Sequence, residues 1–173
     1  MKRLVAIAAL AAIPTLIGAP AFAASAVPTG HHAPRPTAAP SAEAMTGYEN
    51  EVVRLTNVQR TSHGCPALHI DERLRTAARG HSSDMVNERY FSHTGSNGSN
   101  FVARETAAGY PSRSASAENI AWGFRTPDDV VSAWMHSPGH RANILNCGSR
   151  AVGVGLAYNR GGAAYWTQDF GRS

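Results

Sequence analysis

The sequence has only a small excess of basic over acidic residues, and it has no long apolar run. Its 173 residues are enough for only one well-buried domain. Its single lysine is Lys2, its arginines form no basic run, and its formal net charge is +4. This pattern gives no indication of a nucleic-acid partner. No apolar run reaches the roughly 20 residues that a membrane-spanning helix requires, so the sequence predicts no membrane span.

Two motifs of hydrolytic enzymes are also missing. The sequence has no H-E-x-x-H, the helical motif in which two histidines bind zinc. It has no G-x-S-x-G, the strand-to-helix turn that exposes a nucleophilic serine. These absences argue against the metalloproteases and serine hydrolases that carry those motifs.

Cysteine is scarce, with Cys65 and Cys147 as the two copies. In an exported protein an even pair predicts a disulfide, and the alternative is two buried free thiols. Because the closed loop is long, the chain-entropy model gives a stabilisation of about 4 kcal/mol.

The N-terminus has the features of a secretory signal peptide. Lys2 and Arg3 precede an apolar run, and small residues follow at positions 21–26. This pattern predicts a signal peptide over residues 1–24 and a secreted, extracellular protein. Removing Lys2 and Arg3 lowers the formal net charge from +4 to +2. Residues 25–44 are rich in proline and alanine and predict a flexible linker, which leaves residues 45–173 as the folded domain.

Periodicity and capping signals predict an α+β domain of helices followed by a terminal hairpin. Asp71 and Thr126 are predicted N-caps, and the segment before Ala117 is predicted as a serine-rich loop. The predicted helices are Met45–Ser62, Asp71 to about Tyr90, Phe101–Ala108, one beginning at Thr126, and Gly139–Leu145; the hairpin strands are Val152–Tyr158 and Ala163–Phe170.

Four side chains are candidates for a polar centre. His81 lies on the apolar side of its helix and is interpreted as a hydrogen-bonded core histidine. His93 lies where a helix changes to a glycine-rich loop, a position from which side chains reach clefts. Glu118 is flanked by apolar residues, so its burial requires a partner. His140 falls in the first turn of the helix that follows Ser137.

Six short motifs between Gly47 and Gly171 together resemble one family. They are Asn57–Arg60 (NVQR), Ala77–Met85 (AARGHSSDM), Tyr90–His93 (YFSH), Ala117–Ala121 (AENIA), Trp134–Arg141 (WMHSPGHR) and Tyr165–Phe170 (YWTQDF). In combination they resemble the CAP superfamily, the cysteine-rich secretory, antigen 5 and pathogenesis-related-1 group, in its bacterial secreted form. The resemblance implies an α-β-α sandwich with a central antiparallel sheet.

The resemblance also implies a large cleft in which two histidines and two acidic residues hold a divalent metal. His93 looks like the first histidine of that set and Glu118 like its first acid. Where the eukaryotic members have the second acid and the second histidine, this chain has Ser137 and Tyr165. His140, from the neighbouring helix, is the expected substitute.

Three functions are consistent with these residues. The favoured one is a secreted, monomeric binding module whose cleft takes a lipid, peptide or glycan, with His93, Glu118, His140 and Tyr165 as polar contacts. The family implied by the motifs includes lipid and sterol binders and signalling or defence proteins. Binding is favoured over catalysis because no third catalytic group is evident.

The second function is an extracellular hydrolase acting on peptide or cell-wall material. His93, Glu118 and His140 would then hold a divalent metal such as zinc, or Ser92 or Ser137 would act beside a histidine without metal. The third interpretation is a purely structural polar network of the same three residues. Arg141 and Asp169 would form an ion pair next to it.

Overall fold

The structure, a computed structural model, describes residues 40–173. The predicted signal peptide, and the predicted linker as far as residue 39, lie outside the described residues and stay predictions. The elements are α1 (Ala42–Ser62), β1 (His69–Ile70), α2 (Glu72–Asn87), α3 (Phe101–Ala107), β2 (Ala115–Trp122), α4 (Pro127–His136), α5 (Pro138–Ile144), β3 (Ala151–Tyr158) and β4 (Ala164–Gly171). No helix in this part of the chain is long and apolar enough to cross a membrane.

The four strands form one sheet in the order β1-β3-β4-β2. β4 pairs antiparallel with both β3 and β2, whereas the two-residue β1 pairs parallel with β3. The α+β class is therefore confirmed, and the sheet is antiparallel except at this short edge strand.

Local capping determines where the helices begin. Asp71 accepts a hydrogen bond from the Arg73 amide, and Thr126 accepts one from the Asp129 amide, as their positions predict. Ser41 caps α1 by accepting from the amide of Ala44, so this helix begins at Ala42, three residues before the predicted start.

Two glycines of β3 allow α2 to lie directly on the sheet. A Cβ added at Gly153 would overlap the backbone of Leu74 and Arg75, and one at Gly155 would overlap that of Ala78. The expectation that these glycines permit close packing is confirmed. The opposite face of β3 carries Val152, Val154 and Leu156 into the main core with α1 and α4.

The segment before Glu118 differs from its prediction as a loop, because β2 already begins at Ala115. Its alternating serines and alanines resemble a loop, but Ala115 and Ala117 pair with β4, with a register shift between them. The outer edge of β2 also has partners: Asn143 Nδ2 donates to the Glu118 carbonyl and Trp134 Nε1 to the Ile120 carbonyl.

A disulfide and a set of hydrogen bonds join the end of α1 to the segment that follows α5. The predicted Cys65–Cys147 disulfide is present, with the two Cα atoms 4.9 Å apart. Beside it the fully buried Arg60 guanidinium donates to four main-chain carbonyls, those of Pro66, Ile144, Asn146 and Ser149, at 2.7–3.0 Å. This arginine satisfies the carbonyls at the C-terminal end of α5.

Candidate functional site

The centre of the site is a pair of buried carboxyl groups on adjacent strands. Glu118 of β2 and Asp169 of β4 are direct partners in the antiparallel register, so their side chains project from the same face of the sheet. Both residues are buried. Two acids in this position require either a cation or a proton.

Glu118 lies close to one arginine and two histidines. Its Oε1 lies 2.7 Å from His93 Nδ1, and its Oε2 accepts from Arg104 Nη2 at 2.5 Å. His81 Nε2 lies 3.9 Å from the same Oε2. The His93 side chain is 56% exposed while that of Glu118 is 1% exposed, so the histidine connects the buried carboxylate to the surface.

Asp169 and Glu105, in contrast to Glu118, are buried acids without a hydrogen-bond partner among the described residues. Burial and the neighbouring carboxyls of Glu118 and Glu105 raise the pKa of Asp169 well above its ordinary value. Burial and the Glu118 charge raise the pKa of Glu105 to about 8. With a pKa of about 8, Glu105 is mostly protonated at neutral pH, while Arg104 pairs with Glu118.

We expect the free energy of unfolding to change with pH because Glu105 binds its proton more tightly in the folded state. Its pKa is about 8 in the folded protein against 4.5 for the free group, so the folded state holds more protons between these values. Stability therefore falls as pH rises from about 4.5 to about 8. Glu105→Gln removes this part of the loss and is more stable than wild type at pH 8, as measured by urea denaturation at a series of pH values.

Glu88→Gln is the control for this comparison because Glu88 is an exposed glutamate beyond the end of α2. Its pH profile should match that of wild type. Equal profiles for Glu105→Gln and wild type would show that Glu105 is ionised in the folded protein.

His81 is a core residue, as its helix position predicts. It is fully buried, and its Nε2 lies 2.9 Å from the Ser92 carbonyl oxygen. Burial lowers the pKa of this imidazole, so it is neutral and Nε2 donates to the carbonyl. His81 thereby fixes the start of the segment that carries His93.

His140 lies on the apolar side of the site. It borders a pocket of about 300 Å³, which it lines together with apolar side chains that include Phe91, Ile120, Trp122, Ala133 and Trp134. Burial and the nearby His93 lower the pKa of His140. The apolar lining, with His140 and Ser137 as its polar residues, suits a ligand with an apolar body and a polar group.

Tyr165 contacts two of the side chains that line this pocket. Its ring meets Phe91 edge-on at a centroid distance of 6.5 Å and lies 6.2 Å from Trp122. Phe91 and Trp122 are 49% and 55% exposed, among the largest exposed apolar side chains of the described residues. The three rings form a partly exposed aromatic group, here called the aromatic rim.

A network of amide side chains supports His140 from the other face of the sheet. Asn119 donates to the His140 carbonyl at 3.3 Å and to Gln168 Oε1 at 3.1 Å. Gln168 in turn donates to Thr56 of α1, and Asn143 donates to Asn119. The network holds α5 against the edge of the sheet and so positions His140.

The predicted Arg141–Asp169 ion pair is wrong. Arg141 lies on the exposed side of α5, and its Nη2 is 3.1 Å from His63 Nε2. Asp169 lies on the other face of the sheet with Glu118. Successive residues of α5 point in different directions, so the neighbour of His140 faces away from the cleft.

The side chains as placed do not fit a metal ion. In residues 40–173, no three or more His, Cys, Asp or Glu side chains form a group able to hold one. Both oxygens of Glu118 already contact His93 and Arg104, so a cation would have to displace the arginine. Zinc binding by His93, Glu118 and His140 stays a prediction. In this part of the chain, neither the Ser92 nor the Ser137 hydroxyl forms a hydrogen bond with a histidine.

Sequence reasoning missed three contributors to the site: Arg104, Glu105 and Phe91. A signal for Glu105 existed, because Phe101, Glu105 and Ala108 follow helical spacing and place the acid on the inward side of α3. No local pattern indicated that Arg104 would meet a glutamate 14 positions later.

Comparisons with known proteins agree with this architecture. The uncharacterized protein YkwD of Bacillus subtilis (strain 168) is 42% identical over 135 residues, which are 78% of this chain and 50% of YkwD. The uncharacterized membrane protein YlbC of the same strain is 34% identical over 126 residues, 73% of this chain and 35% of YlbC. The chain thus spans about half of one relative and about a third of the other.

Solved structures show the same fold. An extracellular protein containing a SCP domain from Bacillus anthracis is 26% identical, with a TM-score of 0.64 over 79% of this chain and 45% of that one. An outer surface protein from Borrelia burgdorferi is 23% identical, with a TM-score of 0.63 over 77% of this chain and 95% of that one.

The family itself follows from the sequence match. The family model that describes the cysteine-rich secretory protein family, CAP, matches residues 53–170, which are more than half of the chain. These residues run from the middle of α1 to the end of β4 and include every element of the site. The chain belongs to the cysteine-rich secretory protein (CAP) family.

Proposed function

We propose that this protein is an extracellular binding protein whose cleft takes the apolar part of a lipid-like ligand. The observation that carries the proposal is the apolar pocket of about 300 Å³ between β2 and α4. Its volume is at the lower end of the range for small-molecule sites, and its lining is mostly apolar. His140 at its border provides a contact for a polar group of the ligand.

The aromatic rim supports binding by this pocket. Exposed apolar side chains are ordinary when scattered, but Phe91, Trp122 and Tyr165 lie together, and the first two line the pocket. Each ring would bury further apolar area against a ligand, at about 25 cal/mol per Å². Aromatic side chains also contribute much contact area with few rotatable bonds.

The exposure of His93 supports a binding role over a purely structural network. More than half of its side chain faces solvent while it contacts the buried Glu118. A network needed only for folding does not require an exposed member, because an exposed hydrogen bond contributes little to stability.

An extracellular location is supported by three independent features. The N-terminal residues have the pattern of a signal peptide, the disulfide suits an oxidising compartment, and two solved relatives are an extracellular protein and an outer surface protein.

Filling the pocket tests this proposal. Ala133 lines the pocket from α4, and Ala133→Phe would occupy its apolar space. We expect cis-parinaric acid, a fluorescent fatty acid, to bind wild type saturably and to bind Ala133→Phe at least about tenfold more weakly, a loss of about 1.4 kcal/mol. Probe fluorescence measures both affinities.

Ala107→Phe is the matched control, since Ala107 is an exposed alanine of α3 outside the pocket lining. It should bind the probe like wild type. Equal binding by Ala133→Phe, or no saturable binding by wild type, would contradict the proposal.

A further inference from the structure

A second cavity has a volume of about 580 Å³, and Tyr165 is one of the residues that line it. It is formed by the end of α2, the β3–β4 turn and the start of β4, and we call it the arginine cavity. Its polar lining consists of Asn87, Arg89, Tyr158, Asn159, Arg160 and Tyr165. None of the described residues that line it is acidic.

Both arginines of this cavity lack an internal partner. Within residues 40–173, neither Arg89 nor Arg160 makes a hydrogen bond or an ion pair. Other arginines of the domain are paired, as Arg79 is with Glu49 and Arg104 with Glu118. Two guanidinium groups facing one cavity without a carboxylate create a positive potential there.

Neutral donors add to these charges. The Asn159 side-chain oxygen accepts from the amides of Gly161 and Ala163, both at 2.9 Å. These bonds orient the side chain, and its NH₂ group has no acceptor among the described residues. The hydroxyls of Tyr158 and Tyr165 likewise have no hydrogen-bond partner in this part of the chain. The cavity therefore presents donors from five side chains and no competing acid.

The backbone at Arg89 is consistent with a role for its side chain. Arg89 follows the end of α2 with φ of 57°, and it is the one non-glycine residue with positive φ among the described residues. Glycine is the usual residue at this position after a helix, because a side chain disfavours the left-handed conformation. An arginine at a position suited to glycine is consistent with a use of the side chain itself.

We propose that the arginine cavity binds the phosphate group of a phosphate-bearing ligand. The planar guanidinium group matches phosphate oxygens with two parallel hydrogen bonds. A phosphate accepts from several directions at once, whereas a carboxylate has two oxygens. Donors from five side chains therefore suit the phosphate better. The site is separate from the apolar pocket, with which it shares no lining residue, and does not depend on the cleft proposal.

Titration of the full chain with phosphate compounds at constant ionic strength tests this site. The probes are inorganic phosphate, glycerol phosphate, acetate, and vesicles of equal parts phosphatidylcholine and phosphatidylglycerol. We expect saturable binding of a phosphate probe by calorimetry or cosedimentation, weakened at least about tenfold in the Arg89→Gly, Arg160→Gln double variant. Arg89→Gly also relieves the positive φ, so loss of folding does not explain the result.

Arg113→Gln is the matched control, because Arg113 is an exposed arginine outside the cavity with no partner among the described residues. It should bind phosphate like wild type. Binding to vesicles supports a lipid headgroup, and binding only to the soluble phosphates supports a free phosphate ester. Equal weakening by Arg113→Gln, stronger binding of acetate, or no saturable binding of any phosphate probe would overturn the site.

Discussion

Replacing Gly155 with alanine is expected to destabilise the domain by about 3 kcal/mol or more. The added Cβ would meet the backbone of Ala78 and Arg79 in α2. A helix backbone cannot rotate away as a side chain can, so α2 would have to move off the sheet. Moving it would separate Ser82 from its hydrogen bonds to the Gly155 carbonyl and to Thr167. Chemical denaturation measures the loss.

Gly80→Ala is the matched control because it changes a glycine of the helix itself. Gly80 is exposed, and an added Cβ there meets nothing within 4 Å. Alanine favours the helix interior over glycine, so this variant should be about 0.5–1 kcal/mol more stable than wild type. Similar effects of the two substitutions would show that α2 does not rest on the backbone of β3.

Arg60→Met is expected to lower the free energy of unfolding by about 4 kcal/mol. The substitution keeps a long apolar side chain but removes the donors to four carbonyls, of which those of Ile144 and Ser149 are buried with the guanidinium. Each buried carbonyl left without a partner costs about 1–3 kcal/mol. Urea denaturation with the disulfide intact measures the effect of the arginine separately from that of the cross-link.

Arg54→Met is the control on the same helix. Arg54 pairs with Glu51, but its side chain is 60% exposed, and exposed pairs contribute about 0–1 kcal/mol. The variant should stay within about 0.5 kcal/mol of wild type. A small effect at Arg60 would mean that water replaces the guanidinium at the carbonyls.

Features with short-range causes could be predicted from the sequence. Asp71 and Thr126 cap helices through bonds to amides two and three residues away, so the cause lies within one turn of chain. The terminal hairpin has its turn residues between two strands that pair with each other. The disulfide followed from the number of cysteines and the expected compartment.

Features that depend on distant pairing could not be predicted. The first residues of β2, Ala115 to Ala117, belong to the strand because β4 lies beside them, although the serine-rich segment predicts a loop up to Ala117. The same pairing sets Glu118 opposite Asp169 and so brings two carboxyl groups together. Helical spacing is consistent with an inward-pointing Glu105, but its raised pKa results from burial and from Glu118 on another element. A pKa shift of this kind requires the assembled site.

The partners on the outer edge of β2 have a consequence for how molecules can attach to the protein. The Glu118 and Ile120 carbonyls point away from β4 and are already bonded to Asn143 and Trp134. An incoming strand would need these same carbonyls to extend the sheet by β-augmentation. Side chains of α4 and α5 thus block this edge against both an extended peptide and the edge of another sheet. Recognition beside the carboxyl pair therefore relies on side chains rather than on main-chain pairing.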